Sequence, residues 1–201
     1  MKENELHWYA LKVFYNKVFD LENELEKMDL ESYIPVELVR LKGLDHMRAA
    51  RRLATPDDTR NDNQYVKEGP VIYKRKPIVS SLLFVRCDAQ KLLEIEAKIS
   101  GCGFVYKRVD RKPAIIPDKE MEMFRMVVSK GADGLLFFSD DDITRYRSGA
   151  RVRVKEGPLA GAEGYIKRIR KDRKLLVAIE GFVAVAVSYI PPQFLEVIEE
   201  Q

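Results

Sequence analysis

Residues 149–180 read GARVRVKEGPLAGAEGYIKRIRKDRKLLVAIE, and this stretch decides the architecture of the C-terminal part of the chain. Residues 151–155 alternate cation and valine with the two-residue period of a half-buried strand. Gly157, Pro158, Gly161 and Gly164 then rule out a long helix and mark turns. Strand-like runs resume at 165–170 and 175–180, with two more at 182–189 and 194–198. Five short strands within about fifty residues predict a small β-barrel, because closure removes exposed sheet edges. Extension of a neighbouring sheet is the alternative.

Upstream of this region the pattern differs. The aromatic, β-favouring run HWYALKVFY at 7–15 predicts a strand, and 16–28 predicts a helix with Phe19, Leu21, Leu25 and Met28 on one face. Residues 31–42 read as a strand in which Pro35 marks a bulge or an edge. The nearly continuous apolar run IVSSLLFVR at 78–86 predicts a central strand buried on both faces. Asp88 is placed to cap a helix running to Ile99. Strands at 104–109 and 114–116 follow, and Pro117-Asp118 opens a third helix to Val128. The alternation predicts an α/β sandwich over residues 1–128, with helices packed on a sheet. Residues 129–147, with Gly131, Gly134 and three aspartates at 140–142, read as a linker in which 135–138 touches one domain. Residues 148–201 form the barrel domain.

Between residues 43 and 75 the chain is polar and broken by Gly43, Pro56, Gly69 and Pro70, with a short helix expected over 45–53. Residues 38–76 carry ten Lys/Arg against five Asp/Glu, which reads as an excursion from the core, either a hairpin or a mobile basic loop. The barrel is polarised too. Residues 151–174 hold nine Lys/Arg against three Asp/Glu, while 175–201 hold no cation and four glutamates.

The 201 residues suffice for one large or two small domains, and 46% hydrophobic residues argue against wholesale disorder. A net charge of only +3 means that any nucleic-acid site must come from local clustering. Cys87 and Cys102 cannot build a disulfide framework, and with His7 and His46 they show no metal-binding spacing. No metal and no cofactor is expected. The N-terminus lacks the apolar core and cleavage site of a signal peptide, and no apolar run is long enough for a membrane span, so a cytoplasmic protein with free thiols is expected. No nucleophile–base constellation can be assembled around His7 or His46, and the glycines at 157–164 lack the GKS or GKT sequel of a phosphate loop. The chain reads as a non-enzyme.

The stretch at 149–180 resembles a KOW motif, and HWYALKVF followed by a helix and by KPIVSSLLFVR resembles the N-terminal (NGN) domain of NusG-type transcription elongation factors. Order, spacing and length fit over nearly the whole chain. The resemblance implies an NGN domain followed by a KOW domain of SH3-like barrel form, and hence an α+β protein acting as a monomer. Where NusG carries Pro-Gly-Tyr, this chain has Ser80, Ser81 and Leu82, and its last strands read IEGFVAVAVSYIPPQFLEV. These departures resemble the specialised UpxY-type paralogues that antiterminate long capsular-polysaccharide operons. The alternatives are a general NusG elongation factor or a KOW-containing RNA- or ribosome-binding protein.

The resemblance also implies roles for residues. Trp8, Ile78, Val79 and Leu82 would form an exposed apolar patch that docks on the clamp helices of the largest RNA polymerase subunit. Only one of Trp8 and Tyr9 can lie on that face, because strand neighbours point opposite ways. Arg40, Lys42, His46, Arg48, Arg51, Arg52, Lys74, Arg75 and Lys76 would contact phosphates of upstream or non-template DNA, with His46, Arg48, Arg51 and Arg52 also candidates for contacts to bases. Gly157, Pro158, Gly161 and Gly164 would make the KOW turn, and the barrel would face RNA, the ribosome or a competing regulator. No membrane partner is implied.

Overall fold

The computed structural model describes residues 5–55, 62–106, 111–130, 135–139, 150–169, 172–179, 183–187 and 190–199. Contacts divide the chain into two compact units, Met1–Phe104 and Val105–Gln201.

The first unit is built on β1 (His7–Val13), α1 (Val18–Lys27), β2 (Glu31–Tyr33), β3 (Val36–Arg40), α2 (Gly43–Leu53), β4 (Tyr65–Glu68), β5 (Val71–Pro77), β6 (Leu82–Cys87), α3 (Ala89–Lys98) and β7 (Cys102–Phe104). Its main sheet runs β2-β6-β1-β7. The antiparallel register sets Trp8 opposite Arg86, Ala10 opposite Phe84 and Lys12 opposite Leu82. Successive residues 8–11 of β1 and 82–85 of β6 are all buried, so both faces of these strands are covered. On the face opposite Trp8, the Tyr9 ring meets Phe104 edge-on at 5.9 Å. α1 packs on β2 and β6 through a face that buries Val18, Leu21 and Leu25. Asp88 caps α3 as the sequence predicts, its carboxylate accepting the Lys91 N–H at 2.8 Å.

Three local expectations are corrected. The strand expected over 31–42 is two strands in two sheets. Ile34 and Pro35 are buried at the break, where the Pro35 carbonyl accepts the Ile78 N–H at 2.9 Å. Pro35 has no N–H to continue a ladder, so the chain leaves the main sheet there. The strand expected over 78–86 begins only at Leu82, because 78–81 turns, with the Leu82 N–H on the Val79 carbonyl at 3.3 Å. The strand expected over 104–109 is seen as β7 at Cys102–Phe104, and residues 107–110 lie outside the described residues.

The basic excursion is an ordered module. β3, β5 and β4 form a separate three-stranded sheet in the order β3-β5-β4, joined by α2, which packs on β5. Gly69, at φ +58°, supplies the left-handed residue of the β4–β5 turn.

The second unit contains β8 (Ile115–Ile116), α4 (Asp118–Lys130), β9 (Leu136–Ser139), β10 (Arg151–Val154), β11 (Glu163–Ile169), β12 (Asp172–Ile179), β13 (Val183–Val187), a 3-10 turn at Pro192–Phe194 and β14 (Leu195–Glu199). Six strands pair in the order β14-β10-β11-β12-β13-β9. All five expected barrel strands are present, and β9 adds a sixth from within the stretch read as linker. The linker's glycines at 131 and 134 and its aspartates at 140–142 lie outside the described residues. The sequence reading ends the first domain at residue 128, within α4, and contacts group this helix with the second unit, where it packs on β12 and β13. The register of β12 and β13 puts Leu176, Ala178, Ala184 and Ala186 on one face and Leu175, Val177, Val183 and Val185 on the other, all of them apolar. This continuous apolar character, without polar alternation, is what two covered faces require.

Gly164 lies where β11 crosses β12 most closely. A Cβ there would run into the Leu176 carbonyl and come within 3.2 Å of a Leu175 methyl. Gly164→Ala is therefore expected to lower stability by about 2–4 kcal/mol, read as a shift of the urea midpoint at unchanged slope. Gly103→Ala, with nothing within 4 Å of its Cβ, serves as the neutral control.

Candidate functional site

The expected apolar patch is not a free surface. Trp8 and Leu82 share one face of the sheet, four register positions apart, but they are 4% and 8% exposed. Both belong to the core, because both faces of β1 and β6 are covered. Of the four patch residues only Ile78 and Val79 are half-exposed, in the turn that precedes β6. That turn is held to the end of β1 by the Val13 N–H on the Ser81 carbonyl at 2.9 Å. The chain leaving β1 presents Phe14 at 46% and Tyr15 at 87% exposure. Tyr15 and Asn16 take left-handed φ values of +59° and +56°, which turn the backbone sharply before α1. One end of the first unit therefore gathers Phe14, Tyr15, Ile78 and Val79. Sequence pattern missed the two aromatics because they sit in the same apolar run as the buried strand.

The nine cationic candidates fall into two groups. Arg75 is committed to the fold. Its guanidinium grips both Glu22 oxygens at 2.7 and 2.8 Å, donates to the Asn63 carbonyl at 2.8 Å and lies 5.1 Å from the centre of the Phe19 ring. This bidentate pair, mostly buried, ties the module to α1. Arg52 pairs with Asp62 at 2.5 Å and lies over the Tyr65 ring. The His46 ring nitrogen donates to the Pro70 carbonyl at 3.0 Å, fastening α2 to the β4–β5 turn. These three side chains are engaged within the module or with α1. Arg40, Lys42, Arg48, Arg51, Lys74 and Lys76 are exposed. Of these, Arg48 has, among the described residues, a loose, solvent-exposed contact with Asp45 at 3.9 Å. Exposed Leu44 and Met47 stand among them on α2.

In the second unit the predicted turn glycines do what turns require. Gly157 and Gly161 have φ of +90° and +89°, and Pro158 is exposed between them. The Gly161 N–H returns to the Val154 carbonyl at 2.8 Å, closing the loop onto β10.

Sequence reasoning missed Glu163, which stands between Gly161 and Gly164. Its side chain is 5% exposed and meets three cations: Arg153 at 2.8 Å, Lys119 of α4 at 3.1 Å and Arg151 at 3.2 Å. Its N–H also reaches the Met123 sulfur at 3.4 Å. Register places Arg153 directly across from Glu163, so a β11 carboxylate beside two β10 arginines was the available signal. Hydrogen bonding from Arg153, reinforced by Lys119, holds the Glu163 carboxyl below its ordinary value near 4.5 against the opposing effect of burial. Two cations of β10 are thereby paired within the second unit. The Cys87 thiol is pushed up to about 12, by burial first and by Asp88 second, and so is not a nucleophile at neutral pH.

A family model described as transcription termination factor nusG matches residues 6–125. The chain belongs to the NusG family. The match extends past the contact boundary at Phe104 and takes in most of α4. Among solved structures, one described as domain interaction in Thermotoga maritima NusG is 16% identical, with a TM-score of 0.47 over 97% of this chain and 98% of that one. No curated protein matches the sequence.

Because the folded-state pKa of Glu163 is depressed, its contribution to stability is complete above the unfolded value and is lost as pH falls through the folded one. Glu163→Gln is expected to cost about 2 kcal/mol at neutral pH. Urea titrations of the full chain should show this gap narrowing as pH drops below about 4.5; a constant gap would mean that the charge contributes nothing.

Proposed function

We propose that the chain is a specialised NusG-type factor that binds RNA polymerase and suppresses pausing and termination, acting as an antiterminator of a long polysaccharide biosynthesis operon. The observation that carries the reading is the family match across residues 6–125. The specialised role draws support from the departures at Ser80, Ser81 and Leu82 and in the last strands. A general elongation factor is the second reading, favoured by the same match.

Polymerase engagement is assigned to the end of the first unit that carries Ile78, Val79, Phe14 and Tyr15. A helix pair such as the polymerase clamp helices suits this surface, because a few large apolar side chains dominate such contacts. The basic module supplies phosphate contacts to upstream or non-template DNA through Arg40, Lys42, Arg48, Arg51, Lys74 and Lys76. The six-stranded unit is read as the KOW barrel, free to engage RNA, a ribosomal component or a competing regulator. No step in this function requires a bond to be made or broken. A protein that prefers the elongating conformation of polymerase over the paused one shifts the balance by the ratio of the two affinities.

Val79→Asp is expected to lower polymerase retention in a pull-down at least tenfold at an unchanged melting temperature, because a charge must be desolvated at the contact. Leu82→Asp should instead unfold or strongly destabilise the chain, since Leu82 is core. Normal retention of the Val79 variant would place the dock elsewhere.

Neutralising Arg48 and Arg51 should weaken binding to a complete elongation complex and flatten its salt dependence, with binding to isolated clamp helices unaffected. Arg75→Ala should act differently, lowering the stability of the module by about 2–3 kcal/mol through loss of its pair with Glu22. An unchanged salt slope in the Arg48/Arg51 variant would leave the module as a solvated surface.

A further inference from the structure

β3 is the outer strand of the order β3-β5-β4, and among the described residues no strand pairs with its far side. Its ladder to β5 is fixed at both ends. The Ile78 N–H donates to the Pro35 carbonyl at 2.9 Å, and the Leu41 N–H donates to the Ile72 carbonyl at 2.9 Å. Antiparallel bonding alternates, so residues 35, 37, 39 and 41 bond toward β5 while the N–H and C=O groups of Val36, Leu38 and Arg40 face outward. Such an edge is a template for another strand, and proteins ordinarily blunt it with a bulge, a proline or a cover. The register of β3 on β5 runs without a bulge, and residues 36–40 contain no proline. The opposite edge, β4, is shorter and has Arg52 laid over its Tyr65.

Apolar side chains stand along this edge. Leu38 is 48% and Val39 38% exposed, and as strand neighbours they point to opposite faces. Leu38, Arg40 and Lys42 fall at alternate positions of one extended stretch, an apolar residue followed by two exposed cations. On the other face the register sets Glu37 opposite Lys76 and Val39 opposite Lys74. The one carboxylate of β3 is therefore already set across from a lysine, while Arg40 lies opposite Tyr73.

We propose that the outer edge of β3 accepts an extended acidic segment of a partner protein as an added strand, with an apolar residue of that segment against Leu38 and carboxylates against Arg40 and Lys42. Main-chain hydrogen bonds to Val36, Leu38 and Arg40 supply affinity whatever the partner's sequence, and the alternate side chains supply the choice. Charge decides the occupant. β3 of a second copy would bring its own Arg40 and Lys42 to an edge that already holds those cations, whereas an acidic strand gains from the same groups. A nucleic-acid backbone answers the cations but leaves the outward carbonyls unpaired and gives Leu38 and Val39 no strand to pack on. The inference goes beyond the polymerase reading. It shares Arg40 and Lys42 with the phosphate contacts assigned there, so an acidic segment and nucleic acid compete for this edge.

The test uses the full chain and a dye-labelled synthetic peptide of about ten residues, valine-rich in one half and glutamate-rich in the other. N-methylation at alternate residues leaves the peptide one pairing edge and keeps it from stacking on itself. Fluorescence anisotropy should report saturable binding. At saturation, amide exchange read by NMR should slow about tenfold or more at Val36, Leu38 and Arg40 and change little at Glu37 and Val39, which already bond to β5. A peptide methylated at every residue should not bind. Leu38→Lys should weaken binding about fivefold and Arg40→Glu about tenfold, both at an unchanged melting temperature because both side chains are exposed. A lysine-rich peptide of the same design should bind the Arg40→Glu variant better than the native chain. Binding without protection of the outward amides, equal binding of the fully methylated peptide, or native affinity in both variants would overturn the proposal. So would the same amide protection by a single-stranded DNA of about 15 nucleotides, which would return the edge to nucleic acid. Dimerisation of the chain in sedimentation that Leu38→Lys abolishes would also overturn it, making the occupant a second copy.

Discussion

The pairing of β1 with β6, covered on both faces, is the constraint on which the first unit depends. When every successive side chain of a strand is buried, none can serve as a contact surface without leaving the core. Each large apolar group so placed contributes about 1.5–3 kcal/mol to folding, and a surface role for Trp8 or Leu82 would forfeit it. Exposure therefore returns only where the pairing ends, at Phe14-Tyr15 and at the turn holding Ile78 and Val79. The strand ladder decides which apolar residues remain available to a partner, and it leaves them at the end of the sheet instead of on its face.

Ion pairing makes the corresponding decision for the cations. A basic cluster read from sequence is a sum of charges, but binding depends on which of them are already spoken for. Arg75 spends its bidentate geometry on Glu22, and Arg52 donates through its Nε to Asp62. Lysines 74 and 76 flank Arg75 on β5 and alternate away from it, so one strand holds the module to α1 through one face and offers charge on the other. In the second unit, Glu163 pairs with Arg151 and Arg153. Net charge over residues 38–76 overstates the cationic surface of the module, because Glu22, which pairs with Arg75, lies outside that stretch.

What the sequence disclosed was local. Asp88 announces its helix because a cap and the N–H it accepts lie three residues apart. Gly157 and Gly161 announce turns because positive φ strains other residues. The unbroken apolar run at 78–86 hid the turn at 78–81, since a strand buried on both faces and a buried turn look alike without polar alternation. The Arg75–Glu22 pair spans 53 residues and leaves no trace in either neighbourhood. The placement of α4 was equally closed to inspection. Its apolar positions show that it packs, but the partner they choose, here β12 and β13, is a tertiary outcome.

Six of the nine cationic candidates remain exposed on the basic module. The module does not carry the aromatic density that base-specific recognition uses, and charge contacts on an exposed surface are individually weak at physiological salt. Under the reading proposed for this member of the NusG family, anchoring falls to the apolar residues at the end of the first sheet, and the exposed cations add charge without base-stacking groups.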